Sequence, residues 1–393
     1  MLDFTLLQKQ LNEMVFEQKS ARRKYDEKVA IARDTLAAWS VRSQELLEKL
    51  DSCRTSWLLA DDIREPLNTR HAAPSPPKAH TVIATDGSQI FPDRHELSAC
   101  HLINIGMIVL HYGSGERPTL TNHPLLFYRD QDTYRQWNGN RIPVNADVIS
   151  ALRGAFEIQE LTQYADEAVR QRRTVAALTD GTLILWTLEG KPKEFQREIL
   201  NFYLTSFEQF RLFQTPIMGY ISQPTSADVI HTLRVALCPE EVTNCDQCPY
   251  KNTDAELPCE PIAGVNDAIL FATILRHGER STTFKSRSEI LSEYKQHTVY
   301  FFYLNVGAEI VRIEIPKWVA YTPELLHLAH AIAYDQAQKG QGYPVSLAEA
   351  HEQAVIRGNE REHFYRMIEH LYVREGLEVA ISRKSFKKRN VAI

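Results

Sequence analysis

The sequence predicts an α/β protein, a mixed sheet with flanking helices. An N-terminal helical arm precedes it, and a four-cysteine metal-binding insertion interrupts it. Three observations carry that prediction. Strand-like runs come first and then alternate with helical stretches, the order of a mixed sheet with helices packed on it. The first 64 residues contain neither proline nor glycine and repeat apolar residues at helical spacing. Four of the six cysteines crowd between positions 238 and 259.

The elements follow in chain order. In residues 1–64, Leu7, Leu11, Met14, Val29, Leu36, Trp39, Leu46, Leu47 and Leu50 recur among mixed charges, which suits one long helix or a helical hairpin. Residues 65–80 are polar and hold four prolines, so they form neither a helix nor a central strand and read as a linker. The body spans 81–375. Thr81–Thr85 is a β-branched run, Leu97–Tyr112 a longer strand and Leu125–Tyr128 a third, and this succession predicts an antiparallel meander. Helix is expected over 147–171, strand at 175–178, helix over 194–213 and strand at 216–222. A strand pair at 297–306 and 309–315 turns at Gly307, and helices over 323–337, 346–358 and on to about 374 end the body. A basic tail, 376–393, closes the chain. A meander followed by helix–strand alternation is the order of an RNase H-like fold.

Composition narrows the function. Hydrophobic residues make up 44% and charged residues 24%, which excludes disordered and collagen-like classes. The net charge of −5 excludes a protein that coats nucleic acid by bulk charge, while leaving room for a local basic groove. No apolar run approaches the roughly 18 residues of a membrane helix, and the first residues lack the basic start and apolar core of a signal peptide. A cytoplasmic location is therefore expected. Phosphate-loop, nucleophile-elbow and dinucleotide glycine motifs are absent from the sequence.

The strongest local signal occurs twice. A hydrophobic strand stops at an acid followed by glycine and a hydroxyl residue, at Asp86-Gly87-Ser88 and at Asp180-Gly181-Thr182. Asp-Gly also makes ordinary turns. Two such carboxylates on adjacent strand ends would repel unless a cation lay between them, and oxygen ligands suit Mg²⁺ or Mn²⁺. Between the strands, Glu157, Glu160 and Tyr164 share one helical face, and Arg153 stands one turn before Glu157. Later, Gly340 and Gly342 form a turn, Pro344 and Ser346 start a helix with Glu349 in the capping-box place, and His351 lies within it. Asp335 precedes that turn.

The segment from Cys238 through Cys245 and Cys248 to Cys259 has the spacing C-x6-C-x2-C-x10-C. Thiolates so spaced bind structural Zn²⁺ or an iron–sulfur cluster, and the spacing alone leaves both open. Arg276, Arg280, Lys285, Arg287 and the basic tail are candidates for tracking a phosphate backbone.

Taken together, TDGSQ at Asp86, the acidic helix, LTDGTL at Asp180 and GYPVSLAEAH with Tyr343 and His351 resemble the NurA nucleases over roughly Thr81 to Arg361. The resemblance implies an RNase H-like, Mn²⁺-dependent enzyme (Mg²⁺ being the alternative) that resects DNA ends in double-strand break repair. It implies 5′→3′ exonuclease activity with endonuclease action on single strands. It also implies a homodimer partnered by a hexameric HerA-type ATPase translocase. Asp86 and Asp180 match the family's strand-end metal ligands, Glu157 or else Glu160 its helical carboxylate, and Tyr343 and His351 its remaining active-site pair. Two divalent ions held about 4 Å apart would then serve an in-line displacement. The cysteine insertion and the long arm depart from the family's minimal pattern. A non-catalytic binding module and a ribonuclease using the same acids remain the alternatives.

Overall fold

A computed structural model describes residues 2–92, 100–137, 139–251 and 257–377. The basic tail expected to follow phosphates lies almost wholly outside the described residues. The chain forms two compact units that interleave in sequence. One takes Met1–Pro74, Ile221–Ser292 and Thr298–Ile315, and the other Ser75–Tyr220, Glu293–His297 and Pro316–Ile393.

The second unit carries the strand-end acids. Its elements, in chain order, are β1 (His80–Ile90), β2 (His101–Tyr112), β3 (Thr119–Phe127), α1 (Ala146–Arg170), β4 (Val175–Asp180), α2 (Lys193–Leu212), β5 (Ile217–Ile221), α3 (Pro323–Lys339) and α4 (Val345–Ala354). The sheet order is β5-β4-β1-β2-β3. The first three strands are antiparallel neighbours, while β4 runs parallel to β1 and β5 parallel to β4. This is the RNase H-like order expected. The β1–β4 register pairs Thr85 with Thr179, so Asp86 and Asp180 follow side by side at the same end of the sheet.

Alternation along β1 sorts its side chains between two helices. The Thr85 hydroxyl donates to the Glu157 carbonyl of α1 at 3.1 Å, and a Cβ at Gly87 would meet Arg153 and Glu157. Asp86 and Ser88 point the other way, to His351 and the Ala354 carbonyl of α4. Helices α1 and α4 therefore cover opposite faces. On β2, a Cβ at Gly106 would lie 2.3 Å from the Ala354 nitrogen, so α4 rests directly on the sheet. Helix α1 starts where Asn145 accepts from the Val148 N–H at 3.1 Å, and it buries Val148, Leu152, Ala155, Ile158 and Leu161 toward the sheet.

The first unit holds the N-terminal helix Phe4–Ser40, capped by Asp3, and a second helix, Ser43–Ser52. Val29, Leu36, Leu46 and Leu50 join one core with Leu233, Phe271 and Phe301. Among the exposed residues are Phe4, Leu11, Met14 and Phe16, so only the later part of the first helix is packed. Arg312, buried here, bonds Asp228 at 2.8 Å and Glu314 at 3.0 Å. Among the described residues no helix is long and apolar enough to cross a membrane.

Several details differ from expectation. The helices of the N-terminal segment end at Ser52 and Ala60–Asp61 is a short strand, so helix does not extend over all of 1–64. Residues 97–99 of the strand expected over 97–112 lie outside the described residues. The β3 strand begins at Thr119, earlier than its apolar core suggests, because an edge strand can be polar on both faces. A small hairpin, Tyr134–Trp137 with Asn140–Pro143, carries too few residues to show a pattern. Ser346 does not cap α4. It lies buried within the first turn, and Pro344 holds the cap position.

Candidate active site

Two strand ends and two helices bring the acids together. Asp86 lies within β1, which runs on to Ile90 rather than stopping at Asp86-Gly87-Ser88 as expected, because its antiparallel pairing with β2 continues while its parallel pairing with β4 stops at Thr85. The Asp86 side chain is 17% exposed, and its Oδ2 lies 2.7 Å from His351 Nδ1. A carboxylate only accepts, so Nδ1 carries the proton and Nε2 is left as the free nitrogen. The imidazole is 62% exposed. Its place on α4 is set by Gly106, which lets the helix approach β2.

Asp180 ends β4, where the Gly181 N–H donates to the Tyr220 carbonyl at 2.8 Å and Gly181 takes φ +87°. Tyr343 donates its hydroxyl to the Asp180 carboxylate, and its ring meets that of Tyr220 edge-on at 5.7 Å. Lost hydration pushes the Asp180 pKa up. The Tyr343 hydrogen bond opposes that, the Asp86 charge adds to it, and His351 again opposes it. Burial and the neighbouring Asp180 charge push the Tyr343 phenol up as well, so it stays a donor.

Glu157 reaches the same end of the sheet from α1. Its side chain is 12% exposed, with Oε1 at 2.9 Å from Arg153 Nε. That contact is short but misaligned, and Oε1 has no hydrogen-bond partner. Burial raises its pKa from 4.5 to about 7. Arg153 works against the rise, and the charges of Asp86 and Asp180 add to it. Gly87 makes room for this carboxylate, since a Cβ there would lie 2.5 Å from Oε1.

The alternatives separate on geometry. Glu160 turns to β3 and pairs with His123 at 2.9 Å, away from the strand-end acids. Asp335 pairs with Lys339 and acts on His80, at the opposite end of β1 from Asp86. It adds nothing to the site.

A cavity of about 580 Å³ opens beside Glu157 and Asp180, walled by Arg153, Trp186, Lys191 and Tyr203 among others. Apart from Arg153, these walls were not foreseen. Trp186, six residues beyond Asp180, was a legible aromatic beside the motif. Tyr203 has no such signal, because only folding brings α2 against Gly154, where a Cβ would sit 2.7 Å from the phenol oxygen.

The basic candidates lie in the other unit and have mostly structural partners. Arg280 is 3% exposed and donates to the Ser281 carbonyl at 2.8 Å. A guanidinium so enclosed cannot follow a phosphate backbone, which corrects the role expected of it. Arg287 spans Asp61, Asp51 and the Leu50 carbonyl. Lys285 is half-buried on the short strand Phe284–Ser286.

The donor set fits a hard divalent cation. The charges of Asp86 and Asp180 act on Glu157, whose buried Oε1 has only the Arg153 ion pair, and the like charges oppose one another. Among the described residues no three His, Cys, Asp or Glu side chains close on a single point. An ion of this class keeps several waters and needs only one or two carboxylates, so closure is not required of it. The four cysteines likewise form no such group among the described residues, so the zinc or iron–sulfur site expected there is not borne out.

Compared with known proteins, the chain matches the NurA domain over residues 80–356, more than half its length. No curated protein matches it in sequence. Among solved structures it is similar to the NurA nuclease of Sulfolobus solfataricus, at 12% identity and a TM-score of 0.47, covering 90% of this chain and 98% of that one. It is also similar to NurA bound to dAMP and manganese, at 12% identity and a TM-score of 0.37, covering 92% and 96%. A third is the catalytic domain of human endonuclease V, at 12% identity and a TM-score of 0.33, covering 85% and 98%.

Proposed function

The chain belongs to the NurA family, and from that membership and its carboxylate cluster we propose that it is a metal-dependent DNA nuclease. The observation that carries the reading is the meeting of Asp86 and Asp180 on neighbouring strand ends with a buried Glu157 whose pKa is raised to about 7. Such a site gains most from a cation and from little else.

Asp86, Asp180 and Glu157 would hold Mn²⁺ or Mg²⁺, with His351 Nε2 as a further donor. A bound divalent ion supplies Lewis acidity toward phosphoryl oxygens and lowers the pKa of water. The remaining work falls to the chain. Tyr343 fixes the Asp180 carboxylate by donating to it. Asp86 fixes the imidazole tautomer, so Nε2, where it is not itself a metal donor, can take or return a proton at the leaving oxygen. Arg153 balances Glu157 and stays anchored by Gln89 Oε1 at 3.0 Å when that carboxylate is engaged elsewhere. Trp186 offers a face for a base, and Lys191 a cation for the phosphate.

Family membership extends the proposal to 5′→3′ exonuclease and single-strand endonuclease action in DNA end resection. It also extends to a homodimer working with a HerA-type translocase, and the exposed apolar residues of the helix Phe4–Ser40 suit a docking role. The four cysteines lie in the other unit.

The test is cleavage of end-labelled single- and double-stranded DNA, beside RNA of the same sequence, in Mn²⁺. DNA shortened by the wild type, and intact with Asp86→Ala or EDTA, is the expected result. Preferential loss of RNA would replace the reading with a ribonuclease. EDTA-insensitive binding without cleavage, with the translocase added, would replace it with a binding module.

A further inference from the structure

The four cysteines that do not close on one ion do surround one space. Cys238 follows the helix Asp228–Leu237, and Cys259 precedes the short turn Glu260–Ile262. Cys245 and Cys248 sit on a turn in which Asn244 Oδ1 accepts from Asp246 and Gln247 N–H groups at 3.2 Å. That turn is tied down, since the Cys245 N–H donates to the Arg54 carbonyl at 2.9 Å and the Arg54 N–H to the Thr243 carbonyl at 2.8 Å. All four cysteines line a single cavity of about 290 Å³, with Trp57, Leu257 and Pro258 among its apolar walls. None of them is in a disulfide, and each is half-buried.

A zinc knuckle has a different shape. Zinc–sulfur bonds of about 2.3 Å in a tetrahedron put the sulfurs roughly 4 Å apart, with no room between them. Here the space that the thiols surround is many times the size of a water molecule.

Cations also attend the sulfurs. Arg234 Nη2 lies 3.7 Å from Cys259 Sγ while its Nε donates to the Cys259 carbonyl at 3.1 Å, and the guanidinium stacks 4.0 Å over Trp57. Lys49 donates to the Cys238 carbonyl. Four thiolates around a multi-iron core carry net negative charge, and hydrogen bonds to such sulfurs stabilise it.

We propose that Cys238, Cys245, Cys248 and Cys259 ligate an iron–sulfur cluster rather than a single zinc ion. Binding releases the four thiol protons. The cluster joins the Asp228–Leu237 helix, the Cys245 turn and, through Arg54, the end of the Ser43–Ser52 helix. Cys53, whose Sγ lies 3.8 Å from Arg287 Nη1, stands beside this set without belonging to it.

The full chain, purified without oxygen, should be brown and carry iron and acid-labile sulfide in equal amounts, with visible absorption bleached by dithionite. Cys248→Ala should lose that absorption and most of the iron, whereas Cys53→Ala should keep both. If Cys248→Ala does not fold, wild type and Cys53→Ala decide alone. One zinc per chain without iron, or wild-type protein free of both metals, would overturn the proposal. Iron and sulfide content is read without DNA, so it stands or falls separately from the nuclease reading.

Discussion

Replacing Glu157 by Gln should disable the enzyme and stabilise its metal-free form. Burial and two neighbouring acids raise this carboxyl from 4.5 to about 7, a gap worth roughly 3 kcal/mol. Between those values the folded chain holds a proton that the unfolded chain has released. The carboxyl therefore leaves stability intact below 4.5 and costs progressively more as pH rises through 7. Glutamine fills nearly the same volume without the charge. Arg153 then loses its ion pair but keeps Gln89 and partial hydration, being 33% exposed. At about pH 8 in EDTA, Glu157→Gln should gain about 2 kcal/mol, and at about pH 5 less than about 1 kcal/mol. Hydrogen exchange at β1 and α1 reads this locally, without assuming that both units unfold together. Saturating Mn²⁺ should reverse the ranking, because the wild type, with one more carboxylate, gains more binding energy from it than the variant does. A variant no more stable than wild type at pH 8, or equally stabilised at both pH values, would refute the reasoning.

Other outcomes follow from the same coordinates. Gly87→Ala places a Cβ 2.5 Å from Glu157 Oε1 and 2.7 Å from Arg153 Cγ, so thermal unfolding should show a loss of about 1–3 kcal/mol along with weaker activity. Trp186→Ala should weaken single-stranded DNA binding about tenfold by fluorescence anisotropy, the lower end of roughly 1–3 kcal/mol for one stacked base. Arg312→Met leaves buried Asp228 and Glu314 without their cation, and urea unfolding of the Arg312 unit should show a loss of about 3–5 kcal/mol.

Much of the catalytic unit was legible because its signals are local. Asp86 and Asp180 each end an apolar run at a glycine, which can be read from a handful of residues, although β1 itself runs on past Asp86 to Ile90. Neither Asp announces that its strand neighbours the other, but the meander-then-helix order implies it. The choice between Glu157 and Glu160 was not legible. Both lie on one helical face, and the decision rests on Gly87 opening space for one while His123 takes the other. Arg280 misled for a related reason. A basic residue near a site reads as a phosphate contact, yet its short strand pairs on both sides and encloses it. The interleaving of the units could not be read either, because it depends on contacts between the N-terminal segment and residues far along the chain, such as Ala60 with Thr232, 172 positions later.

The most direct test of the central claim is the Mn²⁺ dependence of DNA cleavage by wild type and Asp180→Asn. Asparagine keeps the shape and the Tyr343 contact but removes the charge. The account predicts saturable cleavage by wild type and little or none by the variant at the same Mn²⁺, with the fold intact by circular dichroism. Equal cleavage by both, or wild-type cleavage that persists in EDTA, would contradict it.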